Sequence, residues 1–188
     1  MRIDDFKNAL AGGGSRGNLF RCRTTFPTGI GTASGFENAG RSVEFMAKSA
    51  SIPASAVAPV EVQYRGRTLK IPGDRTFEDW TVNIYNDTNF NIRDSFESWM
   101  NLMKSHSGNV GPTRLADMMQ DTFVDQLDRE GNVIKTYQFV DCFPSALGAM
   151  DLAADSADVQ SFDVTFTYQY WTTDVGGNLR ATTDRARG

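Results

Sequence analysis

Apolar residues recur at every second position along much of the chain, the spacing of strands that are buried on one face. Phe20, Cys22, Thr24 and Phe26 share one side of residues 18–26, and Arg21, Arg23 and Thr25 share the other. Alternation resumes at Val43, Phe45 and Ala47, which predicts a strand over residues 41–49. Val60, Val62 and Tyr64, then Arg65-Gly66-Arg67, then Leu69 and Ile71 read as a hairpin. Trp80, Val82 and Ile84 predict the next strand, with Phe77 out of phase, so a bulge or bend is expected near Glu78-Asp79. Residues 121–127 and 133–143 form a second hairpin around Asp128-Arg129-Glu130-Gly131-Asn132. The latter strand is apolar on both faces, as a strand sandwiched within the domain or between subunits would be. Residues 160–171 alternate most cleanly, with Phe162, Val164, Phe166, Tyr168 and Tyr170 opposite Ser161, Asp163, Thr165, Thr167 and Gln169.

One segment has helical spacing instead. Ile92, Phe96, Trp99, Met100 and Met103 predict a helix over about residues 89–106, capped by Asn89 or Asn91 and ended by Gly108. A shorter helix fits residues 3–10, with Ile3, Phe6 and Leu10 on one side. Residues 1–17 form an N-terminal arm whose AGGGSRG stretch is a flexible joint, and residues 27–40 form a long Gly/Thr/Ser loop. Ser51 to Pro59 suits an edge or connecting segment, because proline cannot donate to a ladder. Residues 144–159 form a connection, and residues 172–188 a polar C-terminal extension. Strands without βα alternation exclude a doubly wound parallel sheet. The expected fold is mainly β: an antiparallel sandwich or barrel of about seven or eight strands with one flanking α-helix.

Composition narrows the functional classes. The 188 residues carry a net charge of −4, which argues against a general grip on nucleic-acid phosphates. Cys22 and Cys142 both sit in alternating runs and read as buried free thiols. The acidic N-terminal stretch lacks the apolar core of a signal peptide, and no run approaches the ~18 apolar residues of a membrane span. Folding in the cytoplasm, without a membrane anchor, is therefore expected. The Asn86-Asp87-Thr88 sequon carries no weight without secretion.

No constellation supports catalysis. Gly12 to Gly17 fits G-x-G-x-x-G by letters, but it precedes a strand rather than following one. His106 is the single histidine, and Ser105 and Ser107 beside it do not point at it. Asp74, Glu78 and Asp79 are interrupted by Arg75 and lack the ligand spacing of a calcium loop. They read better as a turn in which Asp74 closes a Gly-Asp bend and Arg75 pairs with a nearby acid. No catalytic residue, metal ligand or cofactor is expected.

Residues 73–87, GDRTFEDWTVNIYND, resemble the hallmark segment of tail tube proteins from contractile-tailed bacteriophages. Asn18-Leu19-Phe20, the KSASIPA of residues 48–54, and Phe143-Pro144 followed by the QSFDVTFTYQYW of residues 160–171 agree in the family's order. The resemblance covers residues 1–171. It implies a structural virion protein, not an enzyme, whose hexameric rings stack into a hollow tube inside a contractile sheath. The inner sheets would join across subunits, and the tube would conduct phage DNA into the host. It implies partners too: further copies of the chain, the tail sheath protein, baseplate and tail terminator proteins, and the tape measure protein and DNA in the lumen. The assembly motif under this reading is Gly73, Asp74, Arg75, Phe77, Asp79 and Trp80, with Asp74 and Arg75 locking the turn. Two alternatives stand beside it: the tube of a bacteriocin or secretion system that carries no genome, and a β-barrel ligand-binding protein.

Overall fold

The computed structural model describes residues 2–9, 14–30, 39–150, 152–153, 155 and 157–175. Leu10, most of the 27–40 loop and residues 176–188 lie outside them. The described residues form three α-helices, α1 (Ile3–Ala9), α2 (Ala39–Met46) and α3 (Asn91–Met103). They also form nine strands: β1 (Phe20–Thr24), β2 (Ala47–Ala50), β3 (Ser55–Tyr64), β4 (Arg67–Phe77), β5 (Trp80–Tyr85), β6 (Gln120–Leu127), β7 (Val133–Leu147), β8 (Ser161–Thr167) and β9 (Tyr170–Val175). Seven strands make one antiparallel sheet in the order β1-β6-β7-β8-β5-β2, with β9 also on β7; β3 and β4 stand apart as a two-stranded hairpin.

Strand β7 joins two limbs of the sheet. Its first half, Lys135 to Val140, lies between β6 and β9, and its second half, Phe143 to Leu147, pairs with β8. The change occurs at Asp141, a left-handed residue with φ 53°, where β7 carries one extra residue against β6. That bulge shifts the side-chain phase, so Phe139 and Cys142 are both fully buried despite their odd spacing. The expected two-faced burial does not extend along the whole strand: Val133 and Ile134, at its start, are exposed.

The core lies between the limbs. Trp80 stacks on Phe139 and Phe166 at ring distances of 4.5 and 5.1 Å. Helix α3 covers it with Ile92, Phe96 and Trp99, each fully buried and each worth about 2–3 kcal/mol of burial. Phe26 fits against Phe96 and Trp99, and the Trp99 indole N–H donates to the Met118 carbonyl over 2.7 Å. The helix is shorter than expected, and neither Asn89 nor Asn91 caps it. Phe90 is the cap residue, at φ 59°, and the Asp87 carboxylate accepts from the N–H groups of Asn91 and Ile92.

Four other expectations need correction. Residues 39–46 are helix α2, not a strand. Its two buried residues, Ala39 and Val43, recur at i and i+4, strand β2 begins only at Ala47, and Gly40 brings the helix onto β1. A Cβ at Gly40 would lie 2.5 Å from the Thr24 carbonyl oxygen. Ser51 to Pro59, expected as an edge or connecting segment, is both: residues 51–54 connect, and residues 55–59 open β3, an edge strand paired with β4 across a β4 bulge opposite Ala58. Pro144 does not end β7, which continues to Leu147. The single strand expected over residues 160–171 is two strands, β8 and β9, broken at Tyr168 and Gln169. Here the chain crosses between limbs and the Gln169 N–H donates to the Val140 carbonyl. Strand β9 then runs to Val175, into the stretch expected to be a tail.

Candidate functional site

The motif at residues 73–80 does not converge on one point. It is the joint between the sheet and a projecting arm. Strands β3 and β4 pair from Ser55↔Phe77 out to Tyr64↔Arg67, and the turn uses Arg65 and Gly66, both at positive φ. Two such φ values identify the tight hairpin turn that matches strand twist. Gly73 sits in the bulge opposite Ala58, where a Cβ would lie 2.6 Å from the Ala58 carbonyl oxygen and 2.8 Å from Val60 Cγ2. Asp74 and Arg75 are exposed residues of β4, with Arg75 opposite Val57. They lock no turn, and Arg75 forms no ion pair among the described residues. The expected bend is real but lies beyond them, at Glu78-Asp79 between β4 and β5.

The last three motif residues belong to the body. Phe77 packs edge-on against Tyr168 and Trp171, both at 6.2 Å. Asp79 accepts from the Thr167 hydroxyl over 3.0 Å, and Trp80 is fully buried.

The arm is two-faced. Glu61 pairs with Lys70 at 3.3 Å and Thr68 donates to Gln63 at 3.1 Å on one face. Strand alternation puts Val60, Val62, Tyr64, Leu69 and Ile71 on the other, and each is more than 40% exposed. A lone two-stranded hairpin is marginal in water, and an apolar stripe on it is the mark of a contact surface.

A second surface lies on the outward face of β5 and β8. Thr81 meets Thr165 at 3.3 Å, and Asn83 donates to Asp163 at 2.8 Å. With Asp79–Thr167 these pairs form a ladder of short polar side chains. The outward positions Thr81, Asn83, Tyr85, Ser161, Asp163, Thr165 and Thr167 include an acid and no Lys or Arg. At the edge, Lys48 lies over the Tyr85 ring at 5.4 Å. The limb ends at β2, paired only with β5, and at Phe143 to Leu147, paired only with β8, so the outer side of each has no strand partner among the described residues.

Sequence reasoning missed a buried charge cluster. Asp125, fully buried in β6, accepts hydrogen bonds from Arg21, Arg23 and Thr136 at 2.7–3.1 Å. Burial alone would raise its pKa, but the bonds from Arg23, Thr136 and Arg21 outweigh it and hold the carboxyl below 3.8. Arg21 also reaches Glu44 of α2 at 3.3 Å. The signal was available: two arginines alternate on the polar face of β1 and an aspartate interrupts β6. The pairing register that joins them was not. Burial pushes both cysteine thiols up to about 12. Among the described residues, no three metal-ligating side chains gather, and no helix is long and apolar enough to cross a membrane.

Comparison with known proteins places this architecture. The family model for phage tail tube protein matches residues 15–174. The chain is 27% identical over 174 residues to tail tube protein gp19 of Enterobacteria phage T4, covering 91% of this chain and 99% of that one. Among solved structures, the cap of the anti-feeding prophage, its tube-terminating cap, superposes with a TM-score of 0.61 at 15% identity over 86% of this chain and 91% of that one. A chain of the PVC sheath-tube complex, from an extracellular contractile injection system, superposes with a TM-score of 0.55 at 13% identity over 90% and 97%. The two structures share the fold; the family model, matched across the sheet and the arm, establishes that this chain belongs to the phage tail tube protein family.

Proposed function

We propose that the chain is a structural, non-enzymatic tube subunit whose hexameric rings stack inside a contractile sheath and conduct phage DNA. The observation that carries this is the β5–β8 limb, with a polar, acid-bearing outer face between two unpaired edges. Free edges invite pairing, and closure into a ring removes them. Joining β2 of one copy to the second half of β7 in the next makes a continuous barrel lined by Asp79, Thr81, Asn83, Asp163, Thr165 and Thr167. Six copies of a −4 chain make an acidic ring, and like charge keeps a passing polyanion from adhering. The apolar arm then serves contacts between copies. Sheath, baseplate and terminator proteins are its proposed neighbours outside and at the ends, with the tape measure protein and DNA within.

Negative-stain microscopy of the purified chain tests the reading. Rings or hollow tubes are expected. A strictly monomeric chain at high concentration, with no tube even on baseplate-like nuclei, would overturn it. The tube of an injection machine without a genome would look the same, and neighbouring capsid and terminase genes as against toxin genes separate the two.

A further inference from the structure

Among the described residues, α1 and the β3–β4 arm each leave an apolar face exposed, and we infer that these faces belong together: α1 of one copy packs across the apolar stripe of the arm of a second copy. Every described side chain of α1 is exposed, with Ile3 at 71% and Phe6 at 64% three residues apart on one face. The sheet offers α1 no cover. The arm's stripe is equally bare, with Tyr64 at 66% and Leu69 at 59%.

The two faces match in size and charge. Seven helical residues run about 10 Å, and the stripe from Val60 to Tyr64 runs about 13 Å. The arm carries Arg65 at its turn and Arg67, Lys70 and Arg75 on β4 against Glu61 and Asp74, so it is basic in a net acidic chain. Helix α1 places Asp4 and Asp5 in its first turn, beside Ile3 and Phe6. Seating Phe6 between Val62 and Leu69 brings those acids toward Arg65 and Arg67 at the arm's tip. The sequence between α1 and β1, residues 10–19, contains four glycines and spans at most ~35 Å, enough to reach a neighbour in contact but not a distant one. The occupant is therefore a second copy of this chain, and the inference rests on the tube reading.

The test uses two batches of the full chain, one with Phe6→Cys and one with Leu69→Cys, mixed, assembled and oxidised. The native cysteines are buried and do not compete. A disulfide between the two batches is expected in tubes, and none when the second batch carries Val110→Cys at an exposed site off the arm. Because a cysteine at position 6 can weaken assembly, a photoreactive benzoyl-phenylalanine there gives an independent map, with cross-links expected on β3 and β4. Tubes that form without either cross-link overturn the docking and leave the tube reading standing. A cross-link within one chain, in a monomeric double variant, also overturns it in favour of docking on the chain's own arm. A wild-type chain that never assembles overturns both.

Discussion

The Tyr168 hydroxyl donates a hydrogen bond to the Glu78 carbonyl over 2.6 Å. It ties two irregular places together: the crossing from β8 to β9 and the bend where the arm leaves the sheet. Burial first, then the nearby charge of Asp79, pushes the phenol up to about 12, so it remains a donor at all ordinary pH. Tyr168→Phe keeps the ring against Phe77 and Phe139 and removes only this bond. A loss of about 1 kcal/mol is expected, lowering Tm by about 2–4 °C in a chain of this size. A calorimetric scan showing no change would mean that the bond does not anchor the bend.

The Asp125 cluster makes stability depend on acid. Its folded-state carboxyl lies below the ordinary 3.8, so the stabilisation is complete above that value and is lost as pH falls through the folded pKa. Urea midpoints should therefore drop steeply below about pH 4. In Asp125→Ala the drop should flatten, at a cost near neutral pH of ~3 kcal/mol. That lies at the low end for breaking a buried pair, because Arg21 and Arg23 keep contact with water. Parallel urea curves for both proteins down to pH 3 would refute the assignment.

Cys22 and Cys142 should be inert in the folded chain. Both thiols are buried and raised to about 12 from 9.0, so little thiolate forms near pH 8. A maleimide at pH 8 should label neither until denaturant unfolds the chain. The linked effect on stability is alkaline: it is intact below pH 9 and lost as pH rises from there toward 12. Rapid labelling in native buffer would show that the limbs open.

Much of this architecture is legible in the sequence, because a strand buried on one face writes its period directly. Strands β5, β6 and β8, the face of α3 and both hairpins are read that way. Failures cluster where the chain changes direction without an apolar break. Asp141 shifts phase inside β7, and Tyr168 crosses between limbs while still facing the core. Helix α2 fails for another reason: its eight residues bury only two positions, Ala39 and Val43, and Val43 with Phe45 and Ala47 also satisfies a strand alternation. The arm was read correctly as a hairpin, yet nothing in Val60, Val62, Leu69 and Ile71 says that their apolar face is left bare. That is a property of the whole fold, visible only once the packing of the other elements against one another is known.

One continuous stretch, residues 60–80, should therefore separate folding from assembly. At its inner end Trp80 is fully buried and stacked on Phe139 and Phe166, so Trp80→Ala should cost about 3–5 kcal/mol and impair folding itself. Toward the tip, Val62→Ser with Leu69→Ser removes apolar area that water already reaches, and Arg75→Ala removes a charge that forms no ion pair among the described residues. Both variants should leave Tm within a degree or two of wild type. If the arm's stripe is covered only between copies, the serine pair should abolish tubes while Arg75→Ala at most slows their growth. Thermal scans and electron micrographs on the same samples decide it. Normal tubes from the serine pair would remove the arm from assembly, and a collapsed Tm would show that the stripe is covered within the chain.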